Sequence, residues 1–518
     1  MAFLSILGLA VFLHGNSDHR HQSDSSNSSS SSDPLAKATT SEATSISPTD
    51  TLFDDPSLPA DAKDVIISAG FECSLPAVKI VKLTPSQYEV QSTQKVATGG
   101  FYLLLRLDGV AGRTVQLDFK GSPFDKWGTA TPQYTYAADL NHLTGFQSTT
   151  QPSTQPREEY RARSRAIDKP ALPDTNGQQW HFFSNVWHES GEICLRQKFE
   201  QDSAFIALRV PYTPEYNDAY LATLQRNPNV EVIEVGKSKE NRPLKIVKIA
   251  NEVRPLGQQK PCILIYAREH PDEQDCSWIA QGAVDFLASD DAQARAVRER
   301  ADFVIIPLLD PDGAASATHE NIISTFDVDK GTPESLAYAA WFKKWVDEGR
   351  RLDLAIALHN PPPGAAFNVA CPMMEPEEWR FKQCLQLHAV ILDNLRKSGY
   401  TVRTDPWGKG SASQRLSGWL SSNYGTLVQP YEVNSLTPRQ QLDLAQLREI
   451  GKIMACATSL YLSSDQAKML FAQVDQTRKQ RNEWQAKTSP SSEASNNALR
   501  AEFTYQLNAD QRARVLSR

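Results

Sequence analysis

The pattern of hydrophobic and polar positions divides the chain into two structured parts. Between about residues 65 and 212, short runs alternate apolar and polar side chains and are separated by Gly, Pro and Asp. Such period-two runs are typical of strands with one buried face. They predict an antiparallel β-sandwich accessory domain over residues 63–213. The runs are 77–83, 100–109, 113–119, 180–187, 192–199 and 204–212.

From residue 214 the pattern changes to near-continuously apolar runs alternating with amphipathic stretches. The runs read as strands at 230–236, 244–250, 262–267, 302–309, 353–360 and 426–433, and the stretches as helices at 274–288, 334–347, 375–397 and 438–461. Buried strands that alternate with helices indicate an α/β fold with a mixed, largely buried sheet. We therefore expect an α/β domain over residues 214–462.

Both ends of the chain differ from these two parts. Residues 1–62 contain a signal-like apolar segment and a Ser-rich stretch, and residues 463–518 are charged and Gln-rich. A disordered linker is expected in the first and a polar helical or disordered tail in the second. The apolar start favours a secreted or periplasmic protein, with a cytoplasmic one as the alternative. No run reaches the roughly 18–20 apolar residues of a transmembrane helix.

Composition narrows the possible partners. The 518 residues have a net charge of −7, and Lys and Arg are scattered, so a nucleic-acid partner is not indicated. The seven cysteines are widely spaced and form no CxxC pair. They predict neither a small disulfide framework nor a cysteine metal site. Oligomeric state has no signature in the sequence.

Metal-binding chemistry is first indicated by the loop after strand 262–267, which carries His270 and Glu273. A third ligand must come from elsewhere, and an ordinary exposed turn is the alternative interpretation. Two further residues fall at strand ends of the α/β domain, where ligand sites of open sheets collect. They are His359 and Glu432, and each could also be structural.

Five ordered segments resemble motifs of the zinc carboxypeptidases, specifically of their cytosolic-carboxypeptidase-like branch. They are EVGKSKENRP at 234–243, AREHPDE at 267–273 followed by Ser277-Trp278, PLLDPDG at 307–313, the strand 353–359, and YEV at 431–433. The resemblance covers about residues 214–462. It extends upstream into IALRVPYTPEYNDAYLATL, which resembles the end of the β-sandwich that precedes the catalytic domain in that branch.

This resemblance implies a zinc-dependent hydrolase of peptide or amide bonds. His270, Glu273 and His359 would hold one Zn²⁺ ion, with an open position for water. Glu432 would act as the general base and then as the general acid. No Gly-x-Ser-x-Gly elbow occurs, so a serine hydrolase is disfavoured.

The substrate-binding positions depart from the family pattern. In the family an Arg and an Asn-Arg pair hold the substrate, and the Asn-Arg pair binds its free C-terminal carboxylate. The corresponding positions here are Glu320, then Asp329 and Lys330. Lys330 keeps one positive charge without the planar fork of Arg. We therefore expect an altered carboxylate pocket, for a substrate with a cationic or neutral group at that point. The alternatives are a catalytically silent binding module and a metal-free structural protein.

Overall fold

The fold was analysed in a computed structural model of the chain. It describes residues 52–487, apart from 60–61, 70, 72, 76–77, 93–101, 122–123, 125–126, 129, 138–179, 190–191, 251–254, 256–257, 318–325, 327–330, 374–377, 404–406, 410–414 and 438–439. The predicted signal-like segment and most of the predicted linker lie outside these residues. Within the described ranges, no helix is both long and apolar enough to cross a bilayer.

As far as the structure describes it, the amino-terminal part contains ten strands in two five-stranded sheets. The strands are β1 Ile66–Ser68, β2 Val78–Lys82, β3 Gln87–Ser92, β4 Leu104–Asp108, β5 Thr114–Lys120, β6 Gln133–Tyr136, β7 His181–Phe182, β8 Val186–Glu189, β9 Glu192–Lys198 and β10 Ser203–Ala207. One sheet has the order β1-β4-β10-β6-β7 and the other β2-β3-β5-β9-β8. Alternate strand residues such as Leu105 and Leu117 enter one shared apolar core. The predicted β-sandwich is confirmed.

Two features of this part differ from the sequence pattern. Strands β3 and β5 pair in parallel, whereas every other strand pair of the two sheets is antiparallel in the described residues. Residues 52–59, which the pattern assigns to the linker, contact the sandwich. The buried Asp55 accepts a hydrogen bond from Thr114 N at 2.8 Å and donates its own N–H to Ser86 Oγ at 3.2 Å.

The following part alternates strands and helices. Its elements are α1 Pro214–Thr223, β11 Glu231–Lys237, β12 Pro243–Ile249, β13 Cys262–Ala267, α2 Gln274–Ala288, α3 Ala292–Arg300, β14 Asp302–Ile306, α4 Pro311–Ser316, α5 Pro333–Asp347, β15 Leu354–His359, β16 Val369–Ala370, β17 Pro372–Met373, α6 Glu378–Lys397, β18 Trp407–Lys409, α7 Leu416–Tyr424, β19 Leu427–Val433, α8 Leu444–Leu462 and α9 Lys468–Lys487. The six predicted strands and four predicted helices are all present. The short helices α1, α3 and α7 were not predicted.

The central sheet has seven strands in the order β11-β12-β14-β13-β15-β19-β16. Its four middle strands are parallel, and β11, β12 and β16 join antiparallel. Both faces are covered, because alternate residues of β13 enter different cores. Ile263 and Ile265 pack on the side of α2 and α8, while Leu264 and Tyr266 pack on the side of α5 and α7. The mixed, buried α/β sheet is therefore confirmed.

The sandwich and the α/β part share packing at their junction. Helix α1 begins where Thr213 Oγ1 caps the N–H of Tyr216 at 3.1 Å, with Pro214 at its first position. Tyr212 packs edge-to-face against Trp278 of α2 and Tyr216 packs against it at a tilt, each with ring centroids 4.9 Å apart. The junction is thus an aromatic core rather than a flexible linker.

The carboxyl-terminal tail is helical as far as the structure describes it. Helix α9 buries Leu470 and Val474, and its Arg481 guanidinium lies over the Tyr424 ring, 5.0 Å from the centroid. The polar helical interpretation of this tail applies to Lys468–Lys487. Residues 488–518 lie outside the described part.

Candidate active site

The candidate site forms at the carboxyl ends of three adjacent parallel strands. Strand β13 leads into the loop with His270 and Glu273, and β15 ends at His359. Glu432 lies in β19 and is the register partner of His359. The carboxyl ends of neighbouring parallel strands lie at one edge of a sheet, which brings the four residues together.

The loop after β13 turns sharply at Arg268. This residue has a φ of +67°, a conformation that side chains other than Gly rarely adopt. Its buried guanidinium donates hydrogen bonds to Pro271 O at 2.7 Å and to Tyr212 O at 3.1 Å. Because these bonds hold the turn from both sides, the strained backbone is retained directly beside His270.

Glu273 is the centre of the cluster. Its Oε1 lies 2.7 Å from His270 Nδ1 and 3.1 Å from His359 Nδ1, and the two imidazole ring centroids are 5.2 Å apart. Burial alone would raise the pKa of Glu273, but the two facing imidazoles lower it well below its ordinary value. Burial also opposes the charged form of His359, yet Glu273 raises its pKa to about 10. The three groups therefore interact strongly.

These residues fit a zinc ion. Two imidazole nitrogens and one carboxylate are the donor set of many catalytic zinc sites, and here Glu273 Oε1 lies within 3.1 Å of Nδ1 of both imidazoles. The buried Glu432 Oε2 has no hydrogen-bond partner among the described residues. A lone buried carboxylate oxygen requires a partner that the protein itself does not supply. The predicted ligands and base thus lie at one site.

Glu269 was missed as a site residue by the sequence reasoning. Its carboxylate, together with His270 and His359, forms a group of potential metal ligands whose atoms all lie within 4.8 Å of one another. The signal was its place inside the metal motif, at the position that the motif leaves variable. Burial cannot be read from that position, because it depends on how the loop folds against β15.

The ionisation of Glu432 follows from its burial. Burial raises its pKa to about 7, with Glu273 adding to the increase and His359 opposing it. A carboxylate with a pKa near neutrality can both accept and return a proton. This is the property that a general base in hydrolysis requires.

The predicted substrate-binding residues Glu320, Asp329 and Lys330 lie outside the described residues. Of the turn that precedes them, Asp310 is described and is fully buried. Two tyrosines that precede Glu432 in the sequence, Tyr424 and Tyr431, are also buried. Neither ring is therefore exposed where a substrate could contact it.

Comparisons with known proteins find similarity to zinc carboxypeptidases. Residues 218–328 match the family model for zinc carboxypeptidases, a range that includes His270 and Glu273. The chain is 33% identical to cytosolic carboxypeptidase 6 of Mus musculus over 135 residues, which are 25% of each protein. It is 30% identical over 142 residues to cytosolic carboxypeptidase 4 of Homo sapiens, covering 25% of this chain and 13% of that protein. The chain therefore aligns with a quarter or less of the length of these relatives.

The fold has a solved counterpart of similar extent. The metallo-carboxypeptidase of Burkholderia cenocepacia superimposes with a TM-score of 0.59 and 17% identity, covering 77% of this chain and 99% of that one. At that identity the likeness concerns the fold, which includes the sandwich as well as the α/β part. The resemblance of the motifs to the zinc carboxypeptidases is thereby confirmed, by the family model over residues 218–328 and by the similarity to cytosolic carboxypeptidases.

Proposed function

We propose that the chain is a zinc-dependent, carboxypeptidase-like hydrolase of peptide or amide bonds. The observation that supports this most is the position of Glu273, whose Oε1 faces His270 Nδ1 at 2.7 Å and His359 Nδ1 at 3.1 Å. Glu432, a half-buried residue whose carboxyl pKa is raised to about 7, lies on the strand next to that of His359. A silent binding module would have no chemical need for such a base.

In this proposal His270, Glu273 and His359 hold one zinc ion. A bound zinc ion supplies a Lewis acid that polarises the scissile carbonyl and makes water more acidic. Glu432 accepts a proton from the attacking water and returns it to the leaving amine. The fold contributes rigidity, because two of these four residues, His359 and Glu432, lie in strands of a sheet that is buried on both faces.

We propose that the substrate carries a cationic or neutral group at the point where the substrates of the family carry their C-terminal carboxylate. The support is the sequence offset that brings Glu320 and Asp329 to positions where the family has Arg and Asn. Two described cations near the site do not replace those residues. Arg209 and Arg268 are buried, and their guanidinium groups donate to protein acceptors.

For location, we propose the cytoplasm, which was the alternative to secretion. The two relatives compared above are named cytosolic carboxypeptidases. All seven cysteines lie in the described part of the chain as free thiols. Free cysteines are the usual state in a reducing compartment. Neither finding supports the secretion that the apolar start favoured.

A panel of C-terminally free and C-terminally amidated peptides, assayed with and without a chelator, tests the proposal. We expect chelator-sensitive hydrolysis without preference for the free carboxylate. Glu432→Gln should retain zinc and lose about 10²- to 10⁴-fold in turnover. Glu231→Gln, a surface change on β11, is the matched control and should leave turnover unchanged.

Each outcome separates the alternatives. A clear preference for free C termini would refute the altered pocket but leave the hydrolase intact. The silent binding module would bind zinc and cleave no peptide of the panel. Its peptide binding would be unaffected by Glu432→Gln. Absence of bound zinc in the wild type would contradict the proposed function itself.

A further inference from the structure

We infer that Glu269 is a positioning residue, which holds the imidazole of His359 in the orientation and tautomer that zinc binding requires. The inference rests on the proposed zinc site and adds a residue to it. Glu269 is neither a ligand nor the base in that proposal. Its place in the metal motif is one that the motif leaves variable.

The burial of Glu269 needs an explanation. Its side chain is 5% exposed, and its Oε2 lies 3.6 Å from His359 Nε2. Its Oε1 has no hydrogen-bond partner among the described residues. Burying a carboxylate without compensating partners is strongly unfavourable, so its presence indicates a specific electrostatic role. The group that its other oxygen faces is the imidazole of His359.

His359 lies between two carboxylates. Its Nδ1 faces Glu273 Oε1 at 3.1 Å, and its Nε2 faces Glu269 Oε2 at 3.6 Å. The two nitrogens lie on different edges of the ring and direct their lone pairs apart. A single ion that is bound through one of them therefore leaves the other nitrogen to the second carboxylate.

The position of His270 decides which carboxylate faces the metal. His270 Nδ1 lies 2.7 Å from Glu273 Oε1, so Glu273 is the carboxylate that both imidazoles share through their Nδ1 atoms. A neutral histidine that binds a metal through Nδ1 carries its proton on Nε2. In His359 the atom Nε2 lies 3.6 Å from Glu269 Oε2, so a hydrogen bond between them forms once the two groups approach by a few tenths of an ångström.

This arrangement predicts the size of the effect. Carboxylates that accept the second N–H of a metal-binding histidine orient the ring and increase its basicity, and their loss typically weakens metal binding 10- to 100-fold. Glu269→Gln keeps the shape of the side chain while it removes the charge. We expect it to bind zinc 10- to 100-fold more weakly than the wild type, as measured by competition with a fluorescent chelator.

Asp272→Asn is the matched control, since it removes a carboxylate from the same loop. Asp272 makes no hydrogen bond or ion pair to His359 in the described part of the chain. If the general negative charge of the loop were responsible, both variants would lose affinity equally. The positioning role predicts a clearly larger loss of zinc affinity for Glu269→Gln than for Asp272→Asn.

A double-mutant cycle with His359→Ala separates positioning from direct binding. If Glu269 acts through His359, Glu269→Gln should change zinc affinity little once the imidazole is absent. An equal loss in both backgrounds would mean that Glu269 binds the metal itself and would overturn the inference. X-ray absorption of zinc-loaded Glu269→Gln gives a second measurement, in which we expect two imidazole ligands as in the wild type.

Failure of this inference and failure of the proposed function give different results. If the wild type binds zinc and Glu269→Gln binds it equally well, the positioning role is wrong and the zinc site stands. If the wild type binds no zinc, the proposed function has failed.

Discussion

Arg209 and Asp275 form a buried ion pair between the sandwich and the α/β part. Arg209 Nε lies 3.2 Å from Asp275 Oδ2, and each side chain is 1% exposed. Arg209 follows β10, the last strand of the sandwich, and Asp275 is in the first turn of α2, two residues after Glu273. The pair therefore connects the accessory region to the metal loop.

The Asp275 carboxylate also accepts hydrogen bonds from the segments that follow β15 and β19. Asp275 Oδ2 accepts hydrogen bonds from Ser435 N at 3.0 Å and from Asn360 Nδ2 at 3.4 Å. Asn360 follows His359, and Ser435 lies three residues after Glu432. Arg209 Nη2 donates to Pro361 O at 3.1 Å. Arg209, directly or through Asp275, thus contacts the segments that lie next to all four predicted site residues.

Replacing Arg209 should therefore destabilise the whole protein. Arg209→Met leaves the Asp275 carboxylate buried without its cation, which typically costs about 3–5 kcal/mol. Lys397→Met is the control, because Lys397 pairs with Asp393 on the surface at 73% and 51% exposure and should cost about 0.5 kcal/mol or less. Urea unfolding measures both. The double variant Arg209→Met/Asp275→Asn should recover part of the stability that Arg209→Met loses. Equal stability of Arg209→Met and the control Lys397→Met would refute the structural role of the pair.

Asp310 is a buried carboxyl group in the turn after β14. Its Oδ1 accepts the N–H of Gly313 at 2.8 Å, and its Oδ2 has no partner among the described residues. Burial raises the pKa of Asp310 from 3.8 to about 7, and the nearby Glu334 and Asp312 contribute while Arg268 opposes them. The folded protein therefore holds this proton more tightly than the unfolded chain does.

That difference predicts how stability depends on pH. The unfolded chain loses the proton near pH 3.8 and the folded protein near pH 7, so stability falls as pH rises between these values and is lowest above them. Asp310→Asn removes the ionisation. Since each tenfold difference in proton affinity corresponds to about 1.4 kcal/mol, the advantage of the variant should grow by a few kcal/mol from pH 5 to pH 8.

Urea midpoints of wild type and Asp310→Asn, taken at pH 5, 6, 7 and 8, measure this change. Asp393→Asn, an exposed carboxyl on α6, is the control and should differ from the wild type by a small, nearly constant amount. A constant difference for Asp310→Asn as well would contradict the assigned pKa.

Helices α2 and α8 cross at two glycines. A methyl group at Gly282 would lie closer than 3.0 Å to the backbone of Arg448, and one at Gly451 closer than 3.0 Å to the backbone of Ile279. Such close approach is possible only without a Cβ atom. Because α2 begins directly after Glu273, this crossing also supports the end of the loop that carries His270 and Glu273.

Gly451→Ala should therefore lower the free energy of unfolding by about 3 kcal/mol or more, since rigid backbone must move to admit the methyl group. Gly121→Ala is the control. Gly121 has a φ of +78° and no neighbour within 4 Å of the added atom, so only backbone strain of about 1 kcal/mol is expected. Thermal unfolding of the two variants tests the difference. Similar losses in both would mean that the helices can separate at little cost.

The strands and helices of the α/β part, and the four candidate site residues, could be predicted from the sequence. Periodicity locates strands and helices because burial of one or both faces imposes a spacing on apolar residues, as in the buried run Cys262–Ala267 and the helix that follows it. His270 and Glu273 could be selected since a metal loop needs its ligands close along the chain. His359 and Glu432 followed from motif order at strand ends.

Which other residues surround and stabilise the proposed zinc site depends on the tertiary structure. The burial of Glu269 against His359, the pair of Arg209 with Asp275, and the parallel pairing of β3 with β5 all join residues that periodicity treats independently. A buried charge has no spacing signature, because its partner is selected by the folded packing across 90 residues of chain from Glu269 to His359. Contacts between distant segments, rather than local pattern, create the electrostatic environment of this site.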